Sequence, residues 1–253
     1  MKNIIMSAKA LCKSYAHNGE QNHVLSNIDL DIYEGDFTVI MGASGSGKST
    51  LLYTLSGMDT VTSGQVIYKD ENVAGYNENK LAKLRHNDFG FIFQQMHLVS
   101  NLSLFENIAV SGYLNKTKAA VEVREYASEL LGKMNLTQVS THLPSQVSGG
   151  EQQRCAIARA VINTPKLLFA DEPTGALNQQ NSIAVLNLLS GLNSSGQSIL
   201  MVTHDMRASL RANRILYIED GKIIGELILP PYSREDEKSR ETQVNAWLSS
   251  MKW

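Results

Sequence analysis

Gly42-Ala43-Ser44-Gly45-Ser46-Gly47-Lys48-Ser49 follows the apolar run Phe37 to Met41 and opens a helical pattern that stops at Gly57. The spacing is G-x-x-x-x-G-K-[ST], set between a predicted strand and a predicted helix, the context that separates a true phosphate loop from a chance match. Glycines here let successive backbone N–H groups turn inward around phosphate oxygens, and the helix start adds a favourable dipole. Gly42, Ser44, Gly45, Ser46 and Gly47 therefore form the candidate cradle. Lys48 is placed to neutralise the β and γ phosphates, and the Ser49 hydroxyl to ligate Mg²⁺. Thr50 is a further candidate for phosphate contact. The competing reading is an ordinary Gly/Ser-rich turn with an exposed lysine.

On either side of this loop the pattern is α/β. Ile28, Leu30 and Ile32 alternate with polar neighbours, as in a half-buried antiparallel strand, and Val66 to Tyr68 reads as another strand. From about 101 to 162 the character is helical, with Val123, Tyr126, Ala127, Leu130, Leu131 and Met134 at helical spacing and a second helix over Glu151 to Ile162. Lys166–Ala170 and Ser198–Val202 read as strands, separated by a helix with Ile183, Leu186 and Leu189 on one face. That is a βαβ unit, which implies a parallel pair. Arg214–Ile218 and Lys222–Leu227 flank Asp220-Gly221, a hairpin turn signal. The expected fold is thus an α/β P-loop nucleotide-binding core with a mainly parallel sheet, an N-terminal antiparallel β part and a helical subdomain insertion near 100–160. It occupies residues 1–229, with an extension over 230–253.

Composition narrows the function. With 253 residues, 43% hydrophobic and 19% charged, the chain can bury a sizeable core. A net charge of −2 provides no strong basic field for nucleic acid or anionic lipid. Cys12 and Cys155 are too few for a disulfide framework and suit a reducing cytosol. The longest apolar runs, Leu167–Ala170 and Ile199–Val202, are strand-length, and Met1-Lys2-Asn3 leads into no signal-peptide core. The expectation is a soluble, cytoplasmic protein; work at a membrane requires another chain to supply the span.

Two more stretches carry chemistry. Lys166-Leu167-Leu168-Phe169-Ala170-Asp171-Glu172 is a buried-strand pattern ending in two acids, whose side chains point different ways at the strand edge. Asp171 is placed to reach Mg²⁺, directly or through water, and Glu172 to act as general base or to orient the attacking water. In Val147-Ser148-Gly149-Gly150-Glu151-Gln152-Gln153-Arg154, Ser148 is a good N-cap, and Gly149 and Gly150 allow close approach of an anion to the helix start.

With these residues in place the chain resembles the ATPase subunit of an ABC transporter, from about Ile4 to Leu229. Gly42–Ser49 matches Walker A, Leu167–Asp171 Walker B, Glu172 the catalytic glutamate, and Val147 onward the signature motif. Gln94, in Phe91-Ile92-Phe93-Gln94, matches the Q-loop glutamine, and His204, in Val202-Thr203-His204-Asp205, the switch histidine; Tyr15 matches the aromatic residue that stacks on adenine. The resemblance implies that Lys48, Glu172 and His204 are catalytic, and that Gln94 approaches the Mg²⁺ shell from a buried position. It also implies ATP and Mg²⁺ as ligands. Two subunits would dock head to tail, Ser148, Gly149 and Gly150 of one closing over phosphates held by Lys48 of the other, and an integral membrane permease in a separate chain would be the second partner. The subunit would sit peripherally on the inner face of the cell membrane; no nucleic-acid partner is expected.

Two positions depart from the family's pattern. Gly175-Ala176-Leu177-Asn178 stands where Ser-Ala-Leu-Asp is usual, and Glu151 where the signature has Gln. Asp171–Asn178 with Gly90–Gln94 resembles the branch serving lipoprotein release, macrolide export and antimicrobial-peptide resistance, and Ala176-Leu177-Asn178 leans toward the peptide-resistance type. The alternative is a mechanotransmission or sensory module that moves no solute. In the tail, 233–241 is a mixed-sign charge run, the pattern of a solvated face or linker. Val244, Trp247, Leu248 and Met251 form an apolar helical stripe, read as packing on the chain's own domain.

Overall fold

The computed structural model describes residues 2–17, 20–115, 118–251 and 253. Along the chain run β1 (Ile4–His17), β2 (Glu20–Tyr33), β3 (Phe37–Met41), α1 (Lys48–Leu55), β4 (Ser63–Tyr68), β5 (Glu71–Asn72) and α2 (Glu78–Asn87). Then come β6 (Phe89–Ile92), α3 (Leu104–Leu114), α4 (Ala120–Lys133), α5 (Gly149–Val161), β7 (Leu167–Asp171) and α6 (Gln179–Ser194). The chain ends with β8 (Ser198–Val202), α7 (Met206–Ser209), β9 (Arg214–Glu219), β10 (Lys222–Ile228) and α8 (Glu237–Ser250). It divides into two compact units, Met1–Ala82 with Leu192–Trp253, and Lys83–Gly191.

The first unit holds an antiparallel sheet in the order β2-β1-β4-β5. Ile28, Leu30 and Ile32 of β2 are buried, as their alternation requires. Its second ladder pairs β3 in parallel with both β8 and β9, and β9 antiparallel with β10. Every residue of β3 and of β8 is buried, so both faces are covered, the reason these strands read as continuous apolar runs. Helix α1 ends on a Schellman arrangement: Gly57 N–H donates to Thr54 O at 3.3 Å and Met58 N–H to Tyr53 O at 2.9 Å. Asp220 (φ 44°) and Gly221 (φ 71°) are both left-handed, the geometry a two-residue hairpin between twisted strands demands.

Helix α8 packs on this same unit through Val244 and Leu248, with Trp247 edge-on to Tyr217 at 6.4 Å between ring centroids. The charge run before the stripe is not simply solvated, however. Arg240 is 3% exposed, because carbonyl groups of the chain turn toward it.

The second unit holds the parallel pair β6 and β7, the helices α3, α4 and α5, and most of α6. Phe91 stacks on Phe169 across the pair at 5.4 Å, and Phe89 meets Phe169 edge-on at 5.1 Å, fixing the register through aromatic contact. Helix α4 buries Val123, Ala127, Leu130 and Leu131, the stripe its sequence shows. In α6 the buried residues are Val185, Leu186 and Leu189, whereas Ile183 is 44% exposed. Its face is therefore rotated from the one expected: a run of apolar residues at 183, 185, 186, 188 and 189 permits more than one helical stripe, and packing decides among them.

Candidate functional site

Register places the predicted residues at strand ends. In the first unit Ile40 of β3 pairs with Val202 of β8, so Gly42 and His204 each lie two residues beyond a matched pair at the carboxyl edge. In the second unit Ile92 pairs with Ala170, so Gln94 and Glu172 stand in the same relation to β6 and β7. Carboxyl edges of parallel strands are where open α/β sheets bind ligands.

The loop from Gly42 to Ser49 is tightly held. A Cβ on Gly42 would lie 2.2 Å from Ile218 O and 2.7 Å from Ser46 Oγ, so only glycine fits there. Ser46 N–H donates to Ala43 O at 3.2 Å, and Gly221 N–H, from the hairpin turn, donates to Ser46 O at 3.2 Å. That brace was not legible in the sequence. Lys48, 8% exposed, curls its ammonium back onto Gly42 O at 2.9 Å and Ala43 O at 2.8 Å. The start of α1 carries neither a side-chain cap nor an acidic residue in its first turn, and Ser46 Oγ is buried without a hydrogen-bond partner among the described residues. An unmet buried hydroxyl, a buried ammonium and an anion-receptive helix start fit a bound polyphosphate.

Tyr15 lies on β1 and is 42% exposed, not buried as a core tyrosine. Its hydroxyl donates to Asp59 Oδ2 at 2.5 Å, and Lys13 Nζ lies 4.7 Å from the ring centroid. Lys13 itself donates to Asp59 Oδ1 at 2.6 Å and to Thr60 O at 2.7 Å, so the ring is clamped while staying accessible. Burial and the bond to Asp59 raise the Tyr15 hydroxyl pKa. Burial pushes the Asp59 carboxyl up, but the bonds from Lys13 and Tyr15 outweigh it and hold the group below its ordinary value. Neither Lys13 nor Asp59 signals this role in sequence. His204 is exposed, and Asp205 beside it caps α7 by accepting from Arg207 N–H at 2.9 Å.

In the second unit Asp171 closes β7 in a buried position. Glu172 follows in the left-handed region at φ 45°, a conformation that costs a non-glycine residue about 1 kcal/mol or more and turns the chain abruptly off the strand. Gln94 is exposed, which corrects the expectation of a buried approach: β6 is buried, but the chain leaves the sheet at Phe93 and carries Gln94 outward. Its amide lies against Gly175, where a Cβ would come within 2.9 Å of Gln94 Nε2. The glycine that replaces the usual serine thus gives Gln94 room.

Ser148 caps α5 in a complete capping box. Glu151 N–H donates to Ser148 Oγ at 3.3 Å, while Ser148 N–H and its hydroxyl donate to Glu151 Oε2 at 2.8 and 2.7 Å. These bonds, the hydroxyl's first, hold the Glu151 carboxyl below its ordinary value although slight burial opposes them. A Cβ on Gly150 would fall 2.3 Å from Asn181 Oδ1 on α6. Asn178 Oδ1 accepts from Asn181 N–H at 2.9 Å, capping the start of α6. Gln153, fully buried, donates from Nε2 to Phe93 O at 3.2 Å and to Pro173 O at 2.8 Å. It thereby ties the signature helix to the residues beside Gln94 and Glu172. Gln153 and Asn181 were missed because a buried amide in a helix looks like any surface amide in sequence.

Residues 25–175 match the family model described as ABC transporter. An uncharacterized ABC transporter ATP-binding protein of Methanocaldococcus jannaschii, MJ1508, is 43% identical over 220 residues, 87% of this chain and 98% of that one. The chain belongs to the ABC transporter ATPase family. Among solved structures this ABC ATPase is similar to the ATP-binding cassette MJ0796 as a dimer in a post-hydrolysis state with ADP and Pi. The TM-score there is 0.82 at 35% identity, covering 90% of this chain and all of that one. It also resembles cbiO1 of Clostridium perfringens, part of the transporter complex cbiONQ, with a TM-score of 0.80 at 25% identity over 96% and 93% of the two chains. As an ABC ATPase it binds ATP with Mg²⁺ and hydrolyses it. Among the described residues no helix is long and apolar enough to cross a membrane.

Proposed function

We propose that the chain is the ATP-hydrolysing subunit of a peptide exporter of the antimicrobial-resistance type, pairing with a second copy on ATP and moving a separate membrane permease from the cytoplasmic side. The observation that carries the nucleotide reading is the cradle itself, with Lys48 folded on its carbonyls and Ser46 Oγ unmet. On phosphate binding, the Lys48 ammonium exchanges those carbonyls for β and γ oxygens, with Gly42, Ser44, Gly45, Ser46, Gly47 and Thr50 lining the cradle. Tyr15 supplies the face for the base. Ser49 and Asp171 would hold a magnesium ion, with Gln94 at its shell, and the ion would supply neutralisation of phosphate charge.

Glu172 accepts a proton from the attacking water as its oxygen bonds to the γ-phosphorus and ADP leaves. His204 contacts the γ-phosphate and steadies that water. Ser148, Gly149 and Gly150 of the second copy close over the same phosphates, so ATP provides contacts only the closed pair can use. The dimeric MJ0796 structures and the placement of cbiO1 within a transporter complex support pairing and a membrane partner.

Turnover by Lys48→Ala tests the core of this reading: a loss of about 10²-fold or more is expected, and near-normal turnover contradicts it. For the transport role, the full chain is reconstituted in vesicles with its permease. Stimulation of ATP turnover by antimicrobial peptides supports export, and turnover indifferent to every peptide tested contradicts it.

A further inference from the structure

We infer that Arg240 of α8 is a positioning residue for the segment that carries the switch histidine. The inference rests on the catalytic reading of His204. Between His204 and β9 the chain makes only the four-residue helix α7 and a short turn over 210–213. Asp205 caps the first end of α7, and the closing carbonyls of the segment turn toward α8. Arg240 Nε donates to Leu210 O at 2.7 Å, and its Nη2 donates to Ala212 O and, at 2.8 Å, to Pro230 O. Leu210 is the C-cap of α7, so the guanidinium sits where a helix end favours positive charge.

The surroundings show a built site. Tyr232 lies between two arginines, with Arg211 at 4.3 Å and Arg240 at 5.8 Å from its ring centroid, and its hydroxyl donates to Glu237 of α8 at 3.0 Å. A guanidinium buried this deeply is costly unless its donors are met, and the carbonyls of 210, 212 and 230 take up three of the five, those on Nε and Nη2. The tail that follows the ATPase core thus clamps the far end of the loop whose near end presents His204. Holding a group that contacts the γ-phosphate in one geometry affects the chemical step more than nucleotide binding.

The test compares full-length wild type with Arg240→Met, Arg240→Lys, Val244→Ala and His204→Ala. Val244 is fully buried on the same helix one turn from Arg240 and its side chain can make no hydrogen bond, so its truncation loosens the packing of α8 without removing the clamp's bonds. Arg240→Met is expected to lower kcat about tenfold with KM for ATP changed less than about twofold. It should also speed amide exchange over 204–212 about tenfold. Arg240→Lys, which keeps the charge but not the fork, is expected to recover part of kcat. Val244→Ala is expected to lower the melting temperature and leave kcat unchanged. Equal losses of kcat in Arg240→Met and Val244→Ala would reduce Arg240 to a structural residue and overturn the inference. An inactive His204→Ala beside a fully active Arg240→Met overturns the inference alone. Full turnover in His204→Ala instead sinks the reading of His204 itself, and the positioning role with it.

Discussion

Replacing Gln153 by leucine keeps the volume of the side chain and removes its amide. In the native chain that amide is the shared donor for Phe93 O and Pro173 O within the Lys83–Gly191 unit; the bond to Pro173 O is buried and the bond to Phe93 O part-buried. A buried carbonyl stripped of its donor costs about 1–3 kcal/mol, which applies to Pro173 O; water reaches the part-buried Phe93 O, so its loss adds little. The substitution also removes Gln153 Oε1, itself buried without a partner, which returns about 1 kcal/mol. The net destabilisation centres on about 1 kcal/mol, a fall of roughly 2–4 °C in melting temperature for a protein of this size. The neighbour Gln152 is the matched control: its amide donates to Pro144 O at 3.0 Å and Val147 O at 3.3 Å, but the residue is half-buried and water can replace those bonds. Scanning calorimetry should therefore show a clear drop for Gln153→Leu and a drop of about a third as much or less for Gln152→Leu. ATP turnover should fall in the first variant and hold in the second, because only Gln153 braces the residues flanking Gln94 and Glu172. Equal shifts in the two variants would refute the reasoning.

Gly42→Ala sets a methyl 2.2 Å from Ile218 O, a backbone atom that cannot step aside, and nucleotide binding measured by fluorescence titration should be lost while distant folds stay intact. For Glu151 the folded carboxyl titrates below its unfolded value, so the capping box contributes fully above about pH 4.5 and is lost as pH falls through the folded value. Because the group is half-buried at an accessible helix start, solvent screening keeps the effect on the order of a few tenths of a kcal/mol. Urea midpoints between pH 3 and 7 should fall less steeply for Glu151→Gln than for wild type. Asn178→Asp keeps the cap on Asn181 N–H, so stability should stay within about 0.5 kcal/mol and turnover within about threefold; an inactive variant would show that the charge at 178 decides the chemistry.

The strands and their order of burial were legible because their physics is local. Phe37–Met41, Leu167–Asp171 and Ser198–Val202 had to be buried on both faces, and Asp220-Gly221 had to turn. The phosphate loop was legible for the same reason: few residues other than glycine tolerate such close backbone approach. What sequence hid depends on contacts far apart in the chain. Gln94 follows a buried strand yet faces outward, Ile183 shares a helix with buried neighbours yet is exposed, and Arg240 sits in a charge run yet is buried. The brace from Gly221 to the phosphate loop, the Lys13–Asp59 clamp on Tyr15 and the Gln153 bridge each join residues that no periodicity links. Their chemistry emerges only once the sheets set the distances.

The most direct test of the account is whether the Ser148 turn of one copy closes on nucleotide held by another. In sedimentation with Mg²⁺ and ATP, Glu172→Gln should run as a dimer. Adding Ser148→Arg should leave it binding ATP as a monomer, since its own Lys48 cradle is untouched. A double variant that still dimerises as fully as Glu172→Gln would contradict the claim that the site is split between two chains.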